Sequence, residues 1–182
     1  CVDDGMGGNG DTEDFGDAPA SYGVASHTVD GTVRMGTLVD AESASQPTND
    51  ADGDDTNGED DEDGVTFQGS MLRGRQAIVI ISTPEPGFLD AWIDYNQDGD
   101  FDDAGEKFAN SIQSNFSTLG LGVNIPADAV LGDTFARFRY SSAGGLGPTG
   151  AAPDGEVEDY YITIGEGTGT GSIGNFAFSD LD

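Results

Sequence analysis

Basic residues are scarce in this chain. Six Lys and Arg stand against 35 Asp and Glu, for a formal net charge of −29 over 182 residues. So negative a chain repels phosphate, which excludes nucleic acid as a partner class. The same charge opposes compaction by self-repulsion, so a folded form needs cations to offset it. Cys1 is the only cysteine and His27 the only histidine. An internal disulfide is therefore excluded, and no His/Cys set for zinc exists. No run of about 20 apolar residues occurs, so no segment reads as a membrane-spanning helix. No Ser/His/Asp or Cys/His arrangement is visible. Carboxylates are so abundant that any pair of them says nothing about a glycosidase dyad. The expectation is a protein without catalytic activity.

What the chain has is oxygen ligands in a patterned loop. The apolar alternating run Phe88-Leu-Asp-Ala-Trp-Ile93 reads as a strand. It delivers the chain straight into Asp94-Tyr-Asn-Gln-Asp-Gly-Asp-Phe-Asp-Asp-Ala-Gly-Glu106. Asp94, Asn96, Asp98 and Asp100 alternate, so a curled loop with Gly99 at its bend can turn all four side chains inward. Such a set suits Ca²⁺, which takes six to eight oxygens at about 2.3–2.6 Å. The stretch is close to an EF-hand loop, but Glu106 falls one residue late and the incoming segment is a strand. The reading is a Ca²⁺ loop in a β protein; the alternative is a solvated acidic turn. A second acidic region spans 43–64, where Asp50, Asp52 and Asp54 repeat the spacing and Asp61 and Asp63 follow. It reads as a further Ca²⁺ region or as a solvated run of like charge. Asp14 and Asp17 flank Phe15 and serve either a capped turn or a metal site. Ca²⁺ loops of this density suit an extracellular setting, where weak sites fill.

The rest of the chain is mostly β in pattern. Residues 1–13 read as a flexible tail, 14–164 as one β-sandwich, and 165–182 as a Gly-rich linker followed by a further strand. Expected strands are Thr32–Met35, Val65–Phe67, Ala77–Ile81, Phe88–Ile93, Val123–Ile125, Thr134–Tyr140 and Tyr160–Ile164. Ala77–Ile81 is a continuous apolar run, which suits a strand buried on both faces or an inner one. Residues 107–121 lack a clear period, and 126–132 form a turn-rich connection with at most one helical turn. Trp92 is assigned to core packing, and His27 to a structural or exposed position. Arg137 and Arg139 lie on one strand face and are expected to bridge carboxylates. Glu156, Glu158 and Asp159 open the last strand, placed to meet the loop after Ile93. In the closing stretch Ile173, Phe176, Phe178 and Leu181 are apolar, and Phe176 and Phe178 share strand period. This segment either closes its own sandwich or adds to a neighbour's sheet edge. A chain beginning with Cys resembles a bacterial lipoprotein, which makes Cys1 a candidate lipid anchor; a trimmed fragment is the other reading. Asn115-Phe-Ser117 is a formal glycosylation sequon.

Taken in order, several motifs point to a family. They are Asp14-Phe-Gly-Asp-Ala-Pro19, Asp61-Glu-Asp-Gly-Val65, Ala91-Trp-Ile-Asp-Tyr-Asn-Gln-Asp-Gly-Asp100, Gly105-Glu106, Ala136-Arg-Phe-Arg-Tyr140 and Gly155-Glu-Val-Glu-Asp-Tyr160. Over roughly residues 11–164 the chain resembles the GEVED domain. The resemblance implies a β-sandwich of bacterial extracellular and cell-surface proteins, and it implies no catalytic activity. It suggests calcium at the acidic loop, carried here by Asp94, Asn96, Asp98, Asp100 and Glu106. The expected protein is an all-β sandwich with Ca²⁺-binding loops and extended tails, a filament or fibre subunit that forms a homopolymer by strand addition. The alternative is a calcium-dependent adhesion or carbohydrate-binding module for a surface glycan, which exposure of Trp92, Tyr95 or Tyr140 beside the ion would support.

Overall fold

A computed structural model of the chain describes residues 12–53 and 62–167. Cys1, most of the 1–13 tail, Asp54, Asp61 and the 172–182 segment lie outside the described residues. The described part is almost entirely β. Its strands are β1 (Glu13–Phe15), β2 (Ala25–Thr28), β3 (Val65–Gln68), β4 (Met71–Leu72), β5 (Gln76–Ser82), β6 (Gly87–Ile93), β7 (Lys107–Ser114), β8 (Thr118–Asn124), β9 (Gly132–Ser141), β10 (Gly150–Ala152) and β11 (Glu156–Gly165), with one 3₁₀ turn at Ala20–Tyr22.

Two sheets face each other. One has the order β4-β11-β9-β6-β7 and the other β3-β5-β8. Val79 and Ile81 from the smaller sheet meet Leu89, Ala91, Ile93, Phe138 and Ile164 from the larger in one buried core. This is the sandwich solution to hiding one face of each sheet. A third small sheet, β1-β2-β10, adds a layer built from the N-terminal residues. The outer face of β6 has its own cluster, in which Trp92 packs with Tyr22, Phe101 and Phe135.

Several expectations need correction. The run Ala77–Ile81 is an inner strand, between β3 and β8, as one of its two readings has it, but it is buried on one face only: Val79 and Ile81 are inside while Ile78 is 48 % exposed. β-Branching placed it in a strand, but composition did not fix how many faces are covered. Thr32–Met35 forms bends and no strand, although Val33 and Met35 are buried. Met35 plugs the core from a loop, and its N–H is held by the Glu156 carboxylate. Residues 126–132 are the turn-rich connection expected, without a helical turn. β7 and β8 arise where no period was legible. β7 pairs with β6 through register shifts around Ala91, which break the alternation. In β8 the alternate positions Gly120 and Gly122 carry no side chain to mark a face.

Arg137 and Arg139 are fully buried between the larger sheet and the N-terminal layer. Arg137 meets its carboxylate as expected: Nε and Nη2 each donate to Asp159 at 2.7 Å. Arg139 does not. It donates to His27 Nε2 and to the carbonyls of Ser26, Gly147, Thr149 and Gly150. Burial, then the neighbouring Arg137 charge, lowers its pKa to about 10.

His27 has no exposure, and its other nitrogen, Nδ1, donates to the Asp154 carbonyl at 2.7 Å. Burial and the Arg139 charge lower its pKa from 6.5 to about 3. Between those values the unfolded chain binds a proton that the native chain refuses. Stability from this group is therefore complete above pH 6.5 and declines as pH falls towards 3. Urea midpoints compared at pH 7.5 and 4.5 are expected to fall more in the wild type than in His27→Gln, whose amide does not titrate. Equal falls would remove His27 from the acid response.

Candidate metal centre

The chain leaves β6 at Ile93 and turns at once. Asp94 is fully buried and anchors the turn. Its Oδ1 accepts from the Gln97 N–H at 2.6 Å, and its Oδ2 from Gly99 N–H at 3.1 Å and from the Tyr22 hydroxyl at 2.7 Å. A short acidic side chain folding back on the next backbone amides is what bends the loop. Gln97 and Gly99 take positive φ of 58° and 93°, the second at the position where glycine carries no penalty.

The bend brings Asp94, Asp98 and Glu106 together, with one oxygen of each within 4.8 Å of the others. Glu106 is 3 % exposed. Its Oε2 accepts from the Asp103 N–H at 3.2 Å, while its buried Oε1 has no hydrogen-bond partner. Burial, then the charges of Asp94, Asp103 and Asp98, raises its pKa to about 7. Left to itself, the ionised carboxylate opposes folding as pH rises through 7, because the native state then gives up a proton it holds more tightly than the unfolded chain does. Beside the cluster lies a pocket of about 320 Å³ lined by Tyr95, Asn96, Asp103, Glu106 and Asp128. The Tyr95 hydroxyl is also buried without a partner.

The other predicted ligands are placed differently. Asn96 braces the cluster: its amide donates to Asp98 at 3.0 Å and Asp103 at 2.5 Å, and its carbonyl oxygen accepts from the Asp98 N–H. Asp100 accepts from the Asp102 N–H. Asp52 accepts from the Thr48 hydroxyl, and Asp63 holds the backbone and hydroxyl of Thr37. Asp50 is exposed. Asp103 was not foreseen. The Asp102-Asp103 pair stands in the loop but breaks the alternation of Asp94, Asn96, Asp98 and Asp100.

Glu156, Glu158 and Asp159 do not meet the loop. β9 lies between β6 and β11, and Glu156 pairs with Tyr140, which pairs with Leu89 on β6. The start of β11 is thus level with the start of β6, and it is Tyr160 that stands level with Ile93. These carboxylates instead tie down the N-terminal half. Asp159 accepts from the Ala18 N–H at 2.9 Å and Glu158 from the Gly64 N–H at 2.9 Å, while Asp14 accepts from the Val157 N–H at 2.7 Å. Asp17, the other residue weighed for a metal, accepts from the Gly53 N–H at 2.6 Å. At Gly155 a Cβ would lie 1.9 Å from the Tyr140 carbonyl, so no side chain fits there.

Residues 88–163 match the family model of the GEVED domain. This part of the chain is similar to that family. The match covers the GEVED stretch itself, its partner strand β9 and the acidic loop. The motifs at Asp14–Pro19 and Asp61–Val65 precede the matched residues. No curated protein and no solved structure matches the chain. In this chain the stretches before the matched residues dock on β11: Asp14, Ala18 and Gly64 all bond to residues 157–159.

Proposed function

We propose that this chain is a non-catalytic, calcium-stabilised structural protein of the bacterial cell surface or extracellular space. It assembles into filaments or fibres by β-strand addition through its terminal segments. The observation that carries the calcium part is the Asp94–Asp98–Glu106 cluster. Oxygens up to about 5 Å apart can share one Ca²⁺ whose ligand distances are 2.3–2.6 Å, and oxygens within 4.8 Å of one another meet that condition. A buried carboxylate oxygen without a partner is costly unless a cation meets it. With 35 acidic residues, an ion at this point also offsets repulsion across the domain.

The adhesion or carbohydrate-binding reading draws its support from an exposed aromatic beside the ion. Trp92, Tyr95 and Tyr140 are 2 %, 6 % and 0 % exposed, so that reading loses its best residues. Assembly rests on the sequence of residues 172–182, an apolar strand-period segment after a Gly/Thr linker.

Light scattering on the full chain and on a chain ending at Gly165, each with Ca²⁺ and with chelator, tests the proposal. Polymers are expected only from the full chain with Ca²⁺. Monomers throughout, with lower thermal stability in chelator, would leave calcium structural and end the filament reading.

A further inference from the structure

We infer that strand addition takes place in the cleft between the edges of β7 and β8, and that its occupant is the 172–178 segment of a second copy. The inference rests on the assembly reading above and names its receiving site.

β8 is an edge strand. It pairs with β5 over seven unbroken positions, from Ser82 opposite Thr118 to Gln76 opposite Asn124. Among the described residues, no backbone hydrogen bond joins Thr118–Asn124 to any other strand. Natural edges are blunted by charge, proline, bulges or shortness. Thr118–Asn124 has no charge, proline or register shift, in a chain of net charge −29. The other edges are managed. β7 shifts register and carries Lys107, β4 has two residues, β10 three and β3 four, and β1 is bridged to Glu42.

The core is also incompletely covered on this side. Phe108 and Ile112 of β7 and Leu119 and Leu121 of β8 pack on the main cluster yet remain only partly buried. Phe67 and Tyr160, partly buried elsewhere, cover each other edge to face at 5.5 Å. Phe108 also packs edge to face on Phe138 at 5.7 Å, and the two half-closed pairs lie on the two strands that end their sheets on this side, where one more strand beside β8 would cover what is left.

The segment Ser172-Ile-Gly-Asn-Phe-Ala-Phe178 suits that place. It is uncharged. With strand period, Phe176 and Phe178 enter between the β7 and β8 side chains, and Ala177 faces outwards beside Gly120 and Gly122. Chain length leaves two routes. Glu166 pairs with Arg73 at 2.7 Å, close to the turn that leads into Gln76 opposite Asn124. Residues 168–171 span about 14 Å when extended, enough to reach a neighbour or to return to the same β8. The experiment must separate the two.

The test uses the full chain with Cys1→Ser and Ala177→Cys, combined with Thr118→Cys or Asn124→Cys, all in Ca²⁺. Thr118 and Asn124 are exposed and leave the core intact, as does Gln68 on the β3 edge, whose Gln68→Cys is the control. A short bismaleimide is added and the products are run on a denaturing gel, with light scattering on the same samples. A ladder of dimers and higher species from the β8 variants, with the control remaining monomeric, is expected. Polymers in scattering with a ladder only from Gln68→Cys would overturn the β8 assignment and leave the assembly reading standing. Cross-linked monomers alone would show the segment closing its own sheet and overturn both. Monomers in scattering without cross-links would likewise end both.

Discussion

Glu106→Gln is expected to change stability in opposite directions with and without calcium. The substitution keeps the shape and the acceptor for the Asp103 N–H, and removes one charge from a buried group beside Asp94, Asp98 and Asp103. In chelator at pH 8 the wild-type carboxylate is ionised and repelled, so the amide should melt at an equal or higher temperature. With Ca²⁺ the variant loses a ligand whose charge is needed, and most of the calcium-dependent gain with it. An ion at 100 times its dissociation constant stabilises by about 2.7 kcal/mol. For a chain of this size that is a melting shift of about 5–10 °C. Asp98→Asn should behave in the same way. A variant destabilised equally in both conditions would mean that Glu106 serves packing and no ion.

The second large effect is expected at Arg137. Its guanidinium and the Asp159 carboxylate are both fully buried and joined by two bonds of 2.7 Å. Nη1 also donates to the carbonyls of Tyr22, Gly23 and Pro148, so one side chain fastens the N-terminal layer and the 147–150 loop to the sheet. Removing one partner of such a pair leaves a buried charge and typically costs about 3–5 kcal/mol. Arg137→Met should lower the melting temperature by about 6–20 °C at the usual conversion for this size. Adding Asp159→Leu should recover part of that loss, because no lone charge remains. A double variant as unstable as the sum of the singles would show that the backbone contacts of Arg137, and not the ion pair, carry its contribution.

Much of the fold was legible where side chains alternate. β6, β9 and the second half of β11 announce themselves through Leu89, Ile93, Phe138 and Ile164, because a half-buried strand must repeat every second residue, and β5 through its unbroken apolar, β-branched run. β7 and the first part of β8 were not legible, since a bulge and two glycines remove that repeat; only the end of β8 is met by the strand expected at Val123–Ile125. The acidic loop could be read as a possible cation site because Asp94, Asp98 and Glu106 carry the chemistry in the sequence itself. The destiny of Glu156, Glu158 and Asp159 depended on which strand lies between β6 and β11, and no local pattern encodes strand order. Arg139 taught a similar lesson. A lone strand position does not reveal that its hydrogen bonds go to His27 and backbone carbonyls and not to carboxylates.

The central claim is that the Asp94–Asp98–Glu106 cluster holds a calcium ion on which the domain's stability depends. Calorimetric titration of Ca²⁺ into the chelator-stripped full chain, beside its Glu106→Gln variant, tests it most directly. Saturable binding in the wild type that is lost or strongly weakened in the variant is the predicted result. Absence of saturable binding up to millimolar calcium, or identical isotherms for the two proteins, would contradict it.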